Sequence, residues 1–434
     1  MSEGSLIINQ LVAGVVFGAT LILVLSEKLH RVIAAMSGAA LMVILGMKFG
    51  FYSPDEAMAA VDFNTLGLLI GMMIIVAHLK RTGFFNFLAI KSAKVTKGNP
   101  RYLLVTLGIT TAFVSMFLDN VTTIILMAPI TILMADALGI SPLPFLMTET
   151  LLSNIGGVGT LIGDPPNIII GSSAGLGFND FIIHLMPLAI VTMGGSLLTL
   201  NLVFNKELKM KPKNIRHILS LDEYEAIRSA RGLKRCLVVL GGVILLFFFH
   251  QRLEMPSSFV ALIGASTILL FIRPDPEEIL KDVDWSVVFF FTALFVLVGG
   301  IGQTGILTLI RSKVEFLGTT RMVLSSLLLL WISALSSSII GNIPFTMIMT
   351  PIIKHIATGG ANVNPLWWSL ALGVGFGGNG TPIGATVNVM AISLSEKTKH
   401  PISSKEWIKI GSTVTLTSLT IATLFLAFLP ALFE

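Results

Sequence analysis

The chain has 434 residues, of which 54% are hydrophobic and only 12% charged, and its mean hydropathy is +0.87. A soluble domain of this size would need more surface charge, so the composition fits a polytopic membrane protein. The formal charge of +5 does not imply nucleic acid, because the basic residues gather in particular loops, a topology signal.

The first ten residues carry Glu3 and no Lys or Arg. The pattern predicts no cleavable signal and a first apolar stretch retained as a helix. Leu6–Leu25, Val32–Met47 and Phe63–Leu79 read as spans, with Lys28 and Arg31 between the first two. Lys80–Arg101 carries six Lys/Arg, and its middle, Gly83–Val95, has the amphipathic pattern of an interfacial helix. Tyr102–Leu138 is apolar but split by Asp119-Asn120. Each arm of about 17 residues is marginal for a crossing, which predicts a re-entrant hairpin with its tip near the midplane. Leu143–Ala174 is a long span broken over Gly156–Asn167, and Phe181–Phe204 reads as continuous. Asn205–Arg235, with nine Lys/Arg, is a cytoplasmic linker. Leu237–Phe249, Ser257–Ile272 and Trp285–Gln303 follow as spans. Met322–Ala357 is a second hairpin, Pro365–Ser395 a second broken span, and Trp407–Ala431 closes the chain.

Placing residues 26–31, 80–101, 205–235, 273–284 and 396–409 in the cytoplasm collects 23 of the 29 Lys/Arg. This predicts a multi-pass protein of the cell inner (plasma) membrane with both termini outside. The loop Arg311–Arg321 falls outside despite three basic residues.

The chain repeats itself. Val61-Asp62-Phe63 matches Val283-Asp284-Trp285, Asn120 matches Asn342 and Pro129 matches Pro351, all at an offset of 222. Gly159-Thr160, Gly163 and Asn167 match Gly380-Thr381, Gly384 and Asn388 at 221. An odd number of crossings separates Asp62 from Asp284, so the halves are inverted, as in alternating-access transporters. The predicted fold is an all-α polytopic membrane protein of inverted repeats, each with a re-entrant hairpin and a broken transmembrane helix. Residues 1–50 form N-terminal helices and 51–204 the first repeat, with hairpin 102–138 and broken helix 143–174. The linker spans 205–235. The second half covers 236–434, with hairpin 322–357 and broken helix 365–395.

Exposed backbone in hydrocarbon costs several kcal/mol per unsatisfied group, so breaks at this depth must line a polar cavity. Each break also starts a helix. Asp119 or Asn120 can cap the arm after it, and Asp164 can cap a half-helix that begins with Pro165-Pro166. Asn342 precedes Ile343-Pro344, and Thr381 precedes Pro382. Free N–H groups and positive dipole ends then point at one central volume. Asn120, Thr122, Thr123, Asn154, Thr160, Asn167, Asn342, Asn379, Thr381 and Asn388 are the expected solute contacts. Asp119, Glu149 and Asp164 are acids at membrane depth, where a charge costs at least about 2.5 kcal/mol. They are the proton or cation sites expected here, with helix capping the other role open to the two aspartates and a structural hydrogen bond the other role open to Glu149. Their repeat partners are Gly341, Leu370 and Ala385, so the acid chemistry lies in the first half. His78 and His184 read as interfacial, and Lys354 as a snorkelling side chain. No buried Arg or Lys is expected to meet a carboxylate. The single cysteine, Cys236, excludes an intrachain disulfide and a multi-thiolate metal site. No hydrolase or nucleotide-binding motif is present, so the chain reads as neither an enzyme nor an ATP-driven pump.

FLDNVTT (Phe117–Thr123), NIGGVGTLIGDPPNIIIG (Asn154–Gly171), SSIIGNIPFTMIMTP (Ser337–Pro351) and GGNGTPIGATVN (Gly377–Asn388) resemble the ion transporter superfamily. Within it the chain is similar to the ArsB/NhaD permease family, which includes the melanosomal P protein. The resemblance implies a scaffold plus a transport domain, with members that export arsenite and antimonite, exchange sodium for protons, or move anions. It adds a homodimer and a cytosolic ATPase subunit as candidate partners. Two positions depart from the family. P-protein-like relatives carry Asp at the second tip, where this chain has Gly341, and the first tip lacks the Ala-Asn-Asp order of the arsenite permeases.

The expected function is arsenite or antimonite efflux in exchange for protons, driven by a gradient and without a cofactor. Arsenite is a neutral trihydroxide that suits amides, hydroxyls and backbone. Sodium/proton antiport is the alternative, and carboxylate transport or an anion channel stands behind both. The expected partners are the solute, protons or sodium, and the lipid bilayer, with no nucleic acid.

Overall fold

The computed structural model describes residues 3–26, 28–210, 212, 222–273, 275–306, 322–357 and 362–433. Among them it is all-α, with twenty α-helices joined by short turns, and ten of the helices are long and apolar enough to cross a membrane. In the first half, α1 (Glu3–Leu25), α2 (Arg31–Phe49), α3 (Pro54–Ala60), α4 (Phe63–Arg81) and α5 (Phe84–Val95) lead to a hairpin of α6 (Pro100–Phe117) and α7 (Asn120–Leu138). A broken pair, α8 (Leu143–Val158) and α9 (Pro165–Ala174), follows, and then α10 (Phe178–His184) and α11 (Met186–Val203). In the second half come α12 (Ala230–Phe249), α13 (Ser257–Ile272), α14 (Pro276–Lys281) and α15 (Trp285–Gln303). The second hairpin is α16 (Met322–Ile340) with α17 (Asn342–Ala357), the second broken pair α18 (Asn364–Gly377) with α19 (Thr386–Ser395), and α20 (Ser404–Phe428) ends the bundle.

The repeat reaches further upstream than the matched motifs. Helix α3 starts at Pro54 behind the cap Ser53, and α14 at Pro276 behind the cap Asp275, the same 222 residues apart. Helices α1 and α2 then correspond to α12 and α13, so the N-terminal pair belongs to the first repeat. The halves are swapped through these helices: α2 packs on α15, and its counterpart α13 packs on α4. Ser196 and Ser418, also 222 apart, bring their hydroxyls to 3.5 Å across α11 and α20, where the pseudo-symmetry axis passes.

The hairpins are re-entrant. Gly108 faces Thr148 and Leu152, Gly156 lies against the carbonyl of Ala112, and Ser115 donates to the Ser153 carbonyl at 2.8 Å. The rising register makes α6 and α8 parallel, so α7 must bring the chain back to the end where α6 began. Helix α9 goes on to the opposite end, where Ser172 meets Asn64 at the start of α4. The tip therefore stops at the level where α8 breaks. In the second half Ser337 donates to the Val374 carbonyl at 2.9 Å, and Gly377 lies against Ala334, giving the same register. Helix α7 packs beside α19, and α17 beside α9. Each returning arm thus lies beside the other half's departing half-helix, which requires inverted halves.

Three sequence boundaries move. Phe181–Phe204 is not continuous: α10 and α11 divide at Leu185, because Pro187 takes the first turn of a new helix. Helix α12 begins at Ala230, capped by Ser229, ahead of Leu237. Helix α5 is not confined to an interface, since Phe85, Ala89, Ser92 and Ala93 are buried as it packs on α6 and α7. The end of the linker docks there too: Glu223 pairs with Lys94, the Arg228 N–H donates to the Thr82 carbonyl at 2.9 Å, and Tyr224 meets Phe87 at 5.5 Å. Gly83 turns the chain at φ +83, and a Cβ there would lie 1.9 Å from the Ala226 carbonyl oxygen, so only glycine fits. Residues 211 and 213–221 of the linker, and the loop Arg311–Arg321, lie outside the described residues.

Candidate functional site

The first tip and both breaks converge on one buried polar chain. Asn120 donates to Asn154 Oδ1 at 2.9 Å and to Asp164 Oδ1 at 3.4 Å. Asn154 donates in turn to Asn379 Oδ1 at 2.7 Å and Asn388 Oδ1 at 3.1 Å, across to the other half. Asn379 donates to the Leu151 carbonyl at 3.1 Å. The sequence singled out all five side chains; the tertiary structure joins them.

The two aspartates differ in whether they cap. Asp119 caps α7, accepting the Thr122 N–H at 2.9 Å and its hydroxyl at 3.0 Å, while the Thr123 hydroxyl donates to the Asp119 carbonyl. Asp164 occupies the cap position of α9 but makes no capping bond. Pro165 and Pro166 have no N–H to offer, and the first free donor, Asn167 N–H, goes to the Asp164 carbonyl at 2.9 Å. The carboxylate is left to Asn120, and its Oδ2 has no hydrogen-bond partner.

Other expected contacts hold the breaks together instead. Asn167 Nδ2 donates to the carbonyls of Gly157, Val158 and Thr160, at 3.2, 3.1 and 2.8 Å. Asn388 Nδ2 does the same for Gly378 and Thr381 at 2.7 and 2.9 Å. Thr160 donates to the Met116 carbonyl and Thr381 to that of Ser338. Thr381 starts no helix: α19 begins at Thr386 behind Ala385, with no side-chain cap. At the second tip Gly341 takes φ +92. Asn342 folds its own Oδ1 onto the Ile343 N–H at 2.9 Å.

Beside this chain lie two adjoining cavities. One, of about 120 Å³, is lined by Arg31, Asp119, Thr122, Asp284, Phe290 and Thr386. The other, of about 440 Å³, shares Arg31, Phe290 and Thr386 and adds Gly341, Asn342 and Ala385. Arg31 is the correction here, since a half-buried cation lining the cavities was not expected. Its Nη1 donates to Thr386 Oγ1 at 2.5 Å, and its guanidinium lies 5.6 Å from the Phe290 ring centroid. Among the described residues no carboxylate lies within 4.0 Å of it. In sequence Arg31 looks like a loop residue; the swap of α2 onto α15 brings it to the tips. One signal was available, because a cation on the first turn of a helix opposes the helix dipole.

Asp284, the cap of α15, was also missed. Its counterpart Asp62 caps α4 and lines a cavity of about 550 Å³ with Ser172, Ser173, Pro351 and Lys354. That cavity lies at the opposite end of the bundle, beside the start of α4. Three other residues stand apart. Glu149 lines none of these cavities and binds Thr131. His184 stacks on Trp368 at 4.7 Å. Cys236 is buried, 3.9 Å from the Ile75 carbonyl.

Residues 21–373 match the model of the CitMHS family, described as citrate transporter. The chain belongs to the CitMHS family. It is 38% identical to two uncharacterized transporters of Mycobacterium tuberculosis, over 96% of this chain and 97% and 98% of theirs. It is 30% identical to the human P protein over 98% of this chain and 60% of that protein. The crystal structure of the YdaH transporter of Alcanivorax borkumensis superposes with a TM-score of 0.60 over 97% of this chain and 98% of that one, at 15% identity, a likeness of fold. These matches place the CitMHS chain in the superfamily its motifs resemble, as a multi-pass secondary transporter.

Proposed function

We propose that this CitMHS transporter carries a small carboxylate of the citrate class, coupled to a cation held by Asp119 and Asp164. The observation that carries this reading is Arg31, a half-buried guanidinium that faces the cavity between the tips and gives one donor to Thr386. Among the described residues no ion pair engages its remaining donors, which can offer a carboxylate the forked geometry that group accepts. The start of α19, which has no side-chain cap, adds N–H groups and a positive dipole end beside it. Cations must accompany the anion, because each uncompensated charge costs about 2.3 kcal/mol per 100 mV of opposing potential. The first half supplies the acids for them. The cavities at the two ends of the bundle are the two accesses, on the side of Asp284 and on the side of Asp62. Residence in the inner membrane with the basic loops in the cytoplasm is part of the same reading.

Arsenite or antimonite export in exchange for protons is the second reading. It is favoured by the hydroxyl and amide lining of the cavities and by the distance of Cys236 from them. Against it, a neutral trihydroxide gains no charge pairing from Arg31, and four of the asparagines it would use, Asn120, Asn154, Asn379 and Asn388, are bonded to one another.

Proteoliposomes bearing the full chain should accumulate labelled citrate under an imposed proton or sodium gradient and lose it when the gradient is dissipated. Gradient-driven arsenite movement without citrate movement would establish the second reading. Sodium-driven proton release indifferent to either solute would establish sodium/proton antiport.

A further inference from the structure

Glu149 lies in the middle of α8 and is fully buried. Thr131 on α7 donates to its Oε1 at 2.8 Å. The Thr111 hydroxyl on α6 lies alongside, and neither it nor Oε2 completes a hydrogen bond. No charged group acts on this carboxyl. On the helices packed against α8, the charged side chains are Arg101, Asp136, Lys405, Glu406 and Lys409, all exposed towards helix ends.

The second repeat shows what this interface needs for packing alone. Helices α16 and α18 pack in the same register as α6 and α8, with Ser337 on the Val374 carbonyl where Ser115 sits on that of Ser153. There Glu149 is replaced by Leu370, Thr131 by Ile353 and Ser153 by Val374. An apolar residue therefore fills the position, and a buried carboxyl is a burden that packing does not require.

The neighbours suit a group that changes its protonation state. A hydroxyl both donates and accepts. With the proton on Oε2, Thr111 can accept it; with the proton gone, Thr111 can turn and donate, as Thr131 already does. A threonine inside a helix commonly gives its hydroxyl to the carbonyl four residues back, as Thr150 does to Leu146 at 2.7 Å, but Thr131 turns to Glu149. The three helices also carry the first tip. One turn along α8 from Glu149, Ser153 bonds Ser115 at 3.0 Å and the Asn120 carbonyl at 3.3 Å.

We propose that Glu149 is a second proton-binding site, separate from the central aspartates, which takes up one proton on Oε2 and releases it in each transport cycle. The count per cycle rests on the ion-coupled reading above; the proton site itself does not. Full-length protein in phospholipid vesicles is treated with dicyclohexylcarbodiimide, which attacks protonated carboxyls in apolar surroundings, and peptides are read by mass spectrometry. Modification of Glu149 that fades between about pH 5 and about pH 9 is expected. No modification at any pH, or the same extent throughout, overturns the proposal whatever solute the protein moves. In vesicles loaded with a pH indicator, Glu149→Gln and Glu149→Leu, the latter copying the second half, should carry one proton fewer per solute than the unaltered chain. An unchanged count in both variants overturns the proposal even where the labelling follows pH.

Discussion

Replacing Arg31 by Gln removes the guanidinium that lines both cavities between the tips and leaves a shorter, neutral amide. In the structure the guanidinium is half-buried, bonds Thr386 and has no carboxylate within 4.0 Å among the described residues. Asp284 and Asp119 share its cavity and act on its charge, but neither forms an ion pair with it. A hydrogen bond to a charged partner is worth about 1.5–3 kcal/mol, and each 1.4 kcal/mol is about tenfold. The KM for citrate in proteoliposome uptake should rise by about tenfold to about a hundredfold. Arg31→Lys should fall between, because an ammonium keeps the charge but not the fork that reaches Thr386 and a carboxylate together. Arsenite, being neutral, should be indifferent to either change. A citrate KM unaltered in Arg31→Gln would refute the placement of the anion, and the carboxylate reading with it.

Asn167 holds three carbonyls of the first break, so Asn167→Leu strands buried acceptors at about 1–3 kcal/mol each. The thermal midpoint in detergent should drop while KM in the surviving protein stays put; a raised KM at an unchanged midpoint would make Asn167 a solute contact instead. The linker dock should depend on pH. The hydrogen bond from Lys94 holds the Glu223 carboxyl below its ordinary value of 4.5. A depressed carboxylate contributes stability above that ordinary value and loses it as the pH falls through the folded one. Hydrogen exchange of residues 222–229, corrected for intrinsic rate, should quicken in acid and lose its pH dependence in Glu223→Gln. Equal protection in both proteins at every pH would show that the pair holds nothing.

Much of the architecture was legible because a membrane punishes irregular backbone. Asp119-Asn120, Gly341-Asn342 and the two glycine-rich breaks stand out from apolar surroundings, and each one marks an interruption in the structure. The repeat was legible only where its residues were kept. Its upstream part, α1–α3 against α12–α14, is nearly silent in sequence because a scaffold helix asks only for apolar residues. The boundary at Leu185 was missed because Pro187, which sits on the first turn of α11, gives no stronger signal than a tolerated proline inside a span. Residue type did not separate side chains that hold the breaks from those that line the cavities. Asn167, Thr160 and Thr381 look like solute ligands and serve the backbone. Asp164 reads as a cation site or a cap, and the prolines after it remove the N–H groups it would cap.

The sequence by itself determined that this is an all-helical membrane protein of two inverted halves, with polar breaks at the centre. Those properties follow from composition, period and position along one chain. Only the tertiary structure decided which polar groups share a volume. Arg31 reaches the tips because α2 crosses to pack on α15, Asp284 joins Asp119 because the halves interlock, and Glu149 is walled off because α6 and α7 close over it. Such juxtapositions depend on contacts between residues hundreds of positions apart, which no local pattern records.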